Sequence, residues 1–225
     1  MKKRTFRIGM AVIALGFVAG LAQFGLPGSS LTATKTPSDS PSDQAWKDEV
    51  ENHTPETATF AGGCFWCIEG AYMGVEGVKS AVSGYTGGKA STATYDQVTA
   101  GETDHREAVR VKYYPSIISY KEILDIFWTS IDPTDDGGQF ADRGYHYTTA
   151  IYAHTKKQYE LANESKQNIS ESERFDEPIV TEINYNKTFY KAEDYHQNYS
   201  KKNTVQYKAY ERASGRTGFI DRVWE

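Results

Sequence analysis

Both cysteines of this chain lie in one stretch, Gly62-Gly63-Cys64-Phe65-Trp66-Cys67-Ile68-Glu69-Gly70. No disulfide can tie distant segments of the chain together, so the fold must be held by an apolar core. Linking Cys64 to Cys67 would close a loop of four residues, which the chain-entropy model rates at only about 2 kcal/mol. The pair reads instead as a redox couple or half of a metal site. The metal reading lacks a second pair, and the five histidines (His53, His105, His146, His154, His196) show no zinc-type spacing. Upstream, Thr57 to Ala61 reads as a short strand; downstream, Ile68 to Met73 reads as the continuation of a helix. A strand, a glycine turn and a cysteine at the first helical turn put a thiol where backbone N–H groups converge, and the partial positive charge there favours thiolate. A free cysteine is often plain core filling, but the glycines and the helix start are what activation needs and packing does not.

The N-terminus is of another kind. Residues 1–7 carry four cations and no anion, residues 8–34 carry no charge, and Ile8 to Leu26 is largely apolar. That pattern predicts a secretory signal peptide or an uncleaved membrane anchor over residues 1–26, and export to the periplasmic or extracellular face. Residues 27–56, rich in Pro, Ser, Thr, Asp and Lys, read as a flexible linker. One domain is expected over residues 57–225. With the leader's cations set aside, residues 35–225 hold 21 basic and 30 acidic side chains, a net of −9. Such a surface repels phosphate backbones, so nucleic acid is not an expected partner, and a membrane is expected only through the N-terminal segment.

Along the domain, Val75 to Val82 alternates weakly and leads into Ser83-Gly84-Tyr85-Thr86-Gly87-Gly88, whose glycines mark a loop running to Thr94 and lying close to another element. Tyr95 to Val98 reads as one helical turn. Arg106 to Tyr113 alternates as a strand, with Ala108 on the face opposite Val109 and Val111. Ser119 and Glu122 form a capping box, opening a helix whose Ile123, Leu124, Phe127, Trp128 and Ile131 face the core. Asp132 to Tyr147 is a long, ring-bearing loop, and such loops in compact domains are commonly functional. Thr148 to Ala153 and Ile179 to Tyr185 read as strands, the segment from Thr155 to Ser170 as a helix. Phe189 to Tyr199 reads as an irregular final helix, with Arg222-Val223-Trp224 packed back on the domain. Alternating strands and helices predict a single sheet covered by helices.

Five blocks of the chain, in order, resemble the peptide methionine sulfoxide reductases of the A type. They are Gly63-Cys64-Phe65-Trp66, Gly84 to Gly88, Gly101 to Val109, Asp142 to Tyr152 and Ala192 to Tyr199, and the resemblance runs from about Ala58 to the C-terminus. It implies an α+β fold with a ferredoxin-like sandwich core and long loops, in one catalytic domain. It also implies reduction of the S epimer of methionine sulfoxide, free or in proteins. Mapped onto this chain, Cys64 is implied as the nucleophile and Glu107 as the acid that protonates the sulfoxide oxygen. Tyr95 and Tyr147 are implied as donors to that oxygen, Phe65 and Trp66 as walls of a slot for the ε-methyl, Asp142 as the group holding the substrate backbone, and His146 as lying beside the substrate. No bound cofactor is implied; the reductant is an external thioredoxin-like dithiol.

The chemistry agrees with these roles. Sulfoxide sulfur is a poor electrophile until its oxygen is protonated, and thiolate is the attacking form. To deliver that proton near neutral pH, Glu107 needs a raised pKa and hence burial; on spacing alone it would be a solvated strand residue. Reaction leaves a sulfenic acid that a second thiol must resolve. Relatives often carry that cysteine near the C-terminus, where this chain reads Ala213-Ser214-Gly215-Arg216. Cys67 is the remaining thiol, and at i, i+3 on a helix start its Cα lies about 5–6 Å from that of Cys64, within disulfide range. The competing readings are a thioredoxin-like thiol–disulfide oxidoreductase using Cys64 and Cys67, and a non-enzymatic module with a tyrosine-lined groove. Insulin reduction without sulfoxide reduction would mark the first; function surviving Cys64→Ser would mark the second.

Overall fold

The computed structural model describes residues 53–224. The leader expected over residues 1–26, and all but the end of the linker expected over 27–56, lie outside the described residues. Strands β1 (Glu56–Gly62), β2 (Val78–Thr86), β3 (Arg106–Tyr113), β6 (Thr149–Ala153), β7 (Glu182–Tyr185) and β8 (Phe189–Lys191) form one sheet in the order β7-β6-β1-β3-β2-β8. All neighbours are antiparallel except β6 and β7, which run parallel. A two-stranded hairpin, β4 (Gly138–Gln139) with β5 (Asp142–Arg143), stands apart from it. The helices are α1 (Phe65–Tyr72), α2 (Tyr95–Thr99), α3 (Tyr120–Trp128), α4 (Lys156–Glu171), α5 (Tyr199–Lys202), α6 (Thr204–Ala213) and α7 (Arg216–Trp224). This is the expected α+β architecture.

The side-chain period of two explains where the core sits. On β3, Val109, Val111 and Tyr113 point into the main core, which also takes Phe60 of β1, Phe65, Ile68 and Tyr72 of α1, and Ile123, Leu124, Phe127 and Trp128 of α3. Ala108 points the other way, into a small second cluster with Ala61, Ala150 and Tyr152. Glu107 has the parity of Val109, so it faces the main core side and the start of α1 rather than solvent. The capping box at Ser119 is present, with Glu122 N donating to Ser119 Oγ and Ser119 N to Glu122 Oε2. Trp128 is packing, as expected, its indole N–H satisfied by Ser165 Oγ at 2.8 Å.

Two expectations need correction. Ser83 to Thr86 is not loop but the end of β2, which turns away only at Gly87. The small residue at 84 admits β8, because a Cβ on Gly84 would stand 2.3 Å from the Tyr190 carbonyl oxygen. Phe189 to Tyr199 is not a helix: its first three residues pair with β2 as an edge strand, isolated turns follow, and Asn198 at φ 56° breaks the chain before α5. The tail is two helices, α6 and α7, and Trp224 packs back on Phe175 with Arg174 over its ring, as expected for that end.

Candidate active site

Cys64 is the N-cap of α1, and its carbonyl accepts from both Cys67 N (3.1 Å) and Ile68 N (3.5 Å). The i→i+3 bond tightens the first turn and draws the two cysteines together. Both are free, buried thiols, and their side chains are hydrogen-bonded to each other. The turn before them needs glycine. Gly63 lies at φ +80°, and a Cβ there would meet Gln139 Cβ at 2.5 Å. Gln139 is itself fixed, donating to the Asp132 and Gly138 carbonyls and accepting from Asp132 N. Gly63→Ala is therefore expected to destabilise the fold by about 1–3 kcal/mol in chemical denaturation, through strain at the φ and overpacking on Gln139.

Glu107 is 1% exposed, and its Oε2 accepts from Phe65 N at 2.9 Å, so the carboxyl caps the very helix start that carries Cys64. Burial pushes its pKa well above the carboxylate range; the neighbouring Cys64 and Asp142 push the same way, against the lowering by the Phe65 amide. The expectation of a buried, proton-holding Glu107 matches this environment. The expectation of a resting Cys64 thiolate does not. Burial and the Cys67 contact raise the Cys64 thiol well above its ordinary value. Desolvation, the Cys67 contact and the nearby Asp142 outweigh the helix start, so Cys64 rests as a thiol. Cys67 is lowered, first by its hydrogen bond with Cys64 and further by the Arg216 guanidinium.

Two phenols frame this pair. Tyr95, the first residue of α2, is raised to about 12 by burial and then by the charges of Glu107 and Cys64. Tyr147, in the 3-10 turn Tyr145–Tyr147, is raised by burial and then by Glu107 and Cys64. Both are therefore neutral donors at physiological pH, close enough to Glu107, Cys64 and Asp142 to feel all three. Asp142, on β5, accepts a hydrogen bond from the Tyr210 hydroxyl. His146 is buried against the Tyr147 ring (4.2 Å between centroids), and burial lowers its pKa. His105 is tied to the Gly88 and Lys89 backbone.

Of the two expected slot walls, Phe65 is fully buried against Tyr85 and His196, while Trp66 is half-exposed. Trp66 stacks on Tyr199 at 3.8 Å and 8°, and its indole N–H donates to His196 Nδ1 at 3.1 Å. Glu193 accepts from Tyr85 OH (2.8 Å) and from Tyr95 N (3.0 Å). The block Ala192 to Tyr199 is thus a clamp that fixes Trp66 through Tyr199 and His196 and Tyr95 through Glu193.

Two site residues lie in the tail and had no role in the sequence reading. Tyr210 on α6 donates to Asp142, lies near enough to Cys64 for each to shift the other's ionisation, and meets Trp66 edge-on at 6.2 Å. Arg216, 2% exposed at the start of α7, donates to the Ser130 and Gly62 carbonyls and lies over the Phe140 ring. Tyr207 and Tyr210, spaced i, i+3 on a tail next to a glycine and an arginine, were the available signal. Away from this cluster, a cavity of about 730 Å³ opens at the other end of α1, lined by Met73, Val78, Tyr114 and Lys191 among others, and holds none of these groups. Among the described residues no group of His, Cys, Asp or Glu is arranged to hold a metal ion.

Residues 56–225 match the family described as peptide methionine sulfoxide reductase. The peptide methionine sulfoxide reductase MsrA of Bacillus subtilis (strain 168) is 50% identical over 169 residues, 75% of this chain and 96% of that protein. MsrA 2 of Staphylococcus aureus (strain MRSA252) is 48% identical over 171 residues, 76% and 97% of the two chains. Among solved structures, reduced Mxr1 of Saccharomyces cerevisiae superposes with a TM-score of 0.63 at 31% identity, covering 67% of this chain and 86% of that one. Methionine sulfoxide reductase A of Corynebacterium diphtheriae gives 0.59 at 28% identity, covering 67% and 76%.

Proposed function

This chain belongs to the A-type family of peptide methionine sulfoxide reductases, and from that premise we propose how its site reduces the S epimer of methionine sulfoxide, in proteins and as the free amino acid. The substrate's ε-methyl lies against Trp66, with Phe65 behind it, and Asp142 accepts from a substrate backbone amide. Tyr95 and Tyr147 donate to the sulfoxide oxygen, and Glu107 gives it a proton. The Cys64 sulfur then attacks the sulfoxide sulfur as thiolate. The S–S bond made by this attack breaks together with the substrate S–O bond as the oxygen passes to Cys64: the substrate sulfur gains two electrons and leaves as the thioether, the Cys64 sulfur loses two and becomes the sulfenic acid, and the proton left by the thiol replaces the one Glu107 gave. Cys67 displaces water from the resulting sulfenic acid to form the Cys64–Cys67 disulfide, and an external thioredoxin-like dithiol reduces it. The single observation that supports this reading is the buried Glu107 carboxyl, bonded to Phe65 N at the helix start that carries Cys64. An acid held protonated there fits protonation of a weakly basic oxygen; a thioredoxin-type exchange needs no such donor. The leader over residues 1–26 supports export, with the enzyme acting at the periplasmic or extracellular face.

The test is one assay on the full chain with S and R sulfoxides of N-acetylmethionine supplied separately, dithiothreitol as reductant, and thioether release as the readout. Turnover of the S epimer with R at background is expected. Turnover of R alone, or insulin reduction with neither epimer consumed, would overturn the reading.

A further inference from the structure

Glu69 is a carboxyl that the reaction does not use, and it is 0% exposed. It lies on α1 three residues after Trp66, so the two side chains share a face of that helix. Its Oε2 accepts from Tyr199 N at 3.3 Å. Among the described residues its Oε1 has no hydrogen-bond partner. A buried carboxyl satisfied on one oxygen only costs stability, and its presence needs a cause. Burial raises its pKa, and the backbone amides of Asn198, Tyr199 and Ser83, together with the Lys202 charge, oppose that rise.

The cause lies across the shared face. Tyr199 is attached to α1 at two points: its backbone N–H on Glu69, and its ring on Trp66 at 3.8 Å and 8° from parallel. Nothing local holds it there. Asn198 before it sits at φ 56° and gives no side-chain cap, and α5 is four residues long, too short to keep its own shape. The approach of α5 to α1 is nonetheless close, since a Cβ on Gly70 would meet Ser200 Cβ at 3.5 Å. Trp66 is therefore restrained twice from the same block. His196 holds the edge of the indole through its N–H, and Tyr199 holds the face.

We propose that Glu69 is a positioning residue that sets the fit of the methyl slot: by anchoring the Tyr199 amide it keeps the Tyr199 ring flat on Trp66, and so fixes the indole plane against which the substrate's ε-methyl lies. Glu69 touches no substrate. Without the anchor, Tyr199 is free to lift with α5, the indole keeps only its edge bond to His196, and the slot admits a longer alkyl group. The inference rests on the reading above that Trp66 is the wall for the methyl.

The experiment measures kcat/KM of the full chain, with dithiothreitol as reductant, for the S-sulfoxides of N-acetylmethionine and N-acetylethionine. These substrates differ by one methylene on the alkyl group that enters the slot. Wild type is expected to prefer the methyl substrate by about tenfold or more, as for one methylene in an apolar pocket. In Glu69→Ala that ratio is expected to fall severalfold, through a lower KM for the ethyl substrate. Glu69→Gln keeps an oxygen acceptor for Tyr199 N and is expected to keep the wild-type ratio. A loss of stability lowers both rates alike and leaves the ratio where it was, so a merely structural role for Glu69 cannot imitate this result. A wild-type ratio in Glu69→Ala, a ratio that falls as far in Glu69→Gln, or no preference in wild type would each overturn the inference. Trp66→Ala judges the reading beneath it separately. A ratio that falls there upholds Trp66 as the wall even where Glu69→Ala has failed, and a ratio that holds removes Trp66 from that role.

Discussion

Cys64→Ser is expected to lower turnover to background with every reductant, whereas Cys67→Ser stops the enzyme after one turnover when the donor is thioredoxin. The two outcomes separate the attacking sulfur from the resolving one. Serine at position 64 leaves the turn, the glycines and the Glu107 bond in place but offers a hydroxyl whose pKa is far beyond the reach of any neighbour in the site. Without Cys67, one equivalent of thioether is released per chain and the Cys64 sulfenic acid persists. A small dithiol then restores slow turnover by attacking it directly, while thioredoxin, which needs a disulfide to exchange with, does not. The measurement is thioether per chain with and without each donor, together with the mass of the protein after one turnover, 16 Da heavier for a sulfenic acid and 2 Da lighter for a disulfide than the dithiol, as the atomic weights of one oxygen and two hydrogens require. A thioredoxin-coupled rate left unchanged in Cys67→Ser would remove Cys67 from the cycle.

Glu107→Gln is expected to lower kcat by about 10²–10⁴-fold, the usual range for loss of a positioned general acid, with KM nearly unchanged. The amide can still accept from Phe65 N and can donate to the sulfoxide oxygen, but it has no proton to transfer. The same variant carries a stability effect of opposite sign. The folded-state pKa of Glu107 is raised. The native protein therefore binds more protons than the unfolded chain from about pH 4.3, the ordinary glutamate value, up to the raised value. In that window wild-type stability falls as pH rises. Glutamine does not titrate, so Glu107→Gln should be more stable than wild type at pH 7 and should lose that advantage near pH 4. Denaturant unfolding at the two pH values checks the sign; equal stability differences at both would mean that Glu107 is ionised in the native protein. A residue that slows the enzyme on removal and steadies the fold is the signature of a group kept for chemistry.

Much of this site was legible because it is built from short-range signals. The glycine turn, the first turn of α1, the Ser119 capping box and the bounds of β3 each depend on neighbours within a few residues. Glu107 was harder. Its parity with Val109 and Val111 was in the sequence, but that this face meets α1 at the end near Cys64 depends on the pairing of β3 with β1 and β2. The resting protonation of Cys64 was not legible, since a helix start is visible in sequence and desolvation by Tyr95, Tyr147 and Tyr210 is not. The failures at Phe189–Lys191 and in the tail share a cause. β8 is a short polar edge strand whose stability comes from β2 and from the space left by Gly84, not from a period of its own. In α6, half-exposed rings among charged residues give little amphipathic signal, and only the assembled fold brings Tyr210 to Asp142.

Confining both sulfurs to one turn of α1 has a consequence for the rest of the molecule. On the proposed cycle, oxidation and reduction rearrange a ring of four residues and leave α6 and α7 in place, so the cover over the site need not unwind in each cycle. A relative that fetches its second sulfur from the tail must keep that tail mobile. Here the tail is free to become scaffolding, with Arg216 anchored on the carbonyls of Gly62 and Ser130 and Trp224 docked on Phe175. A cycle so proposed is local, and the architecture would be indifferent to which half of it the enzyme is in.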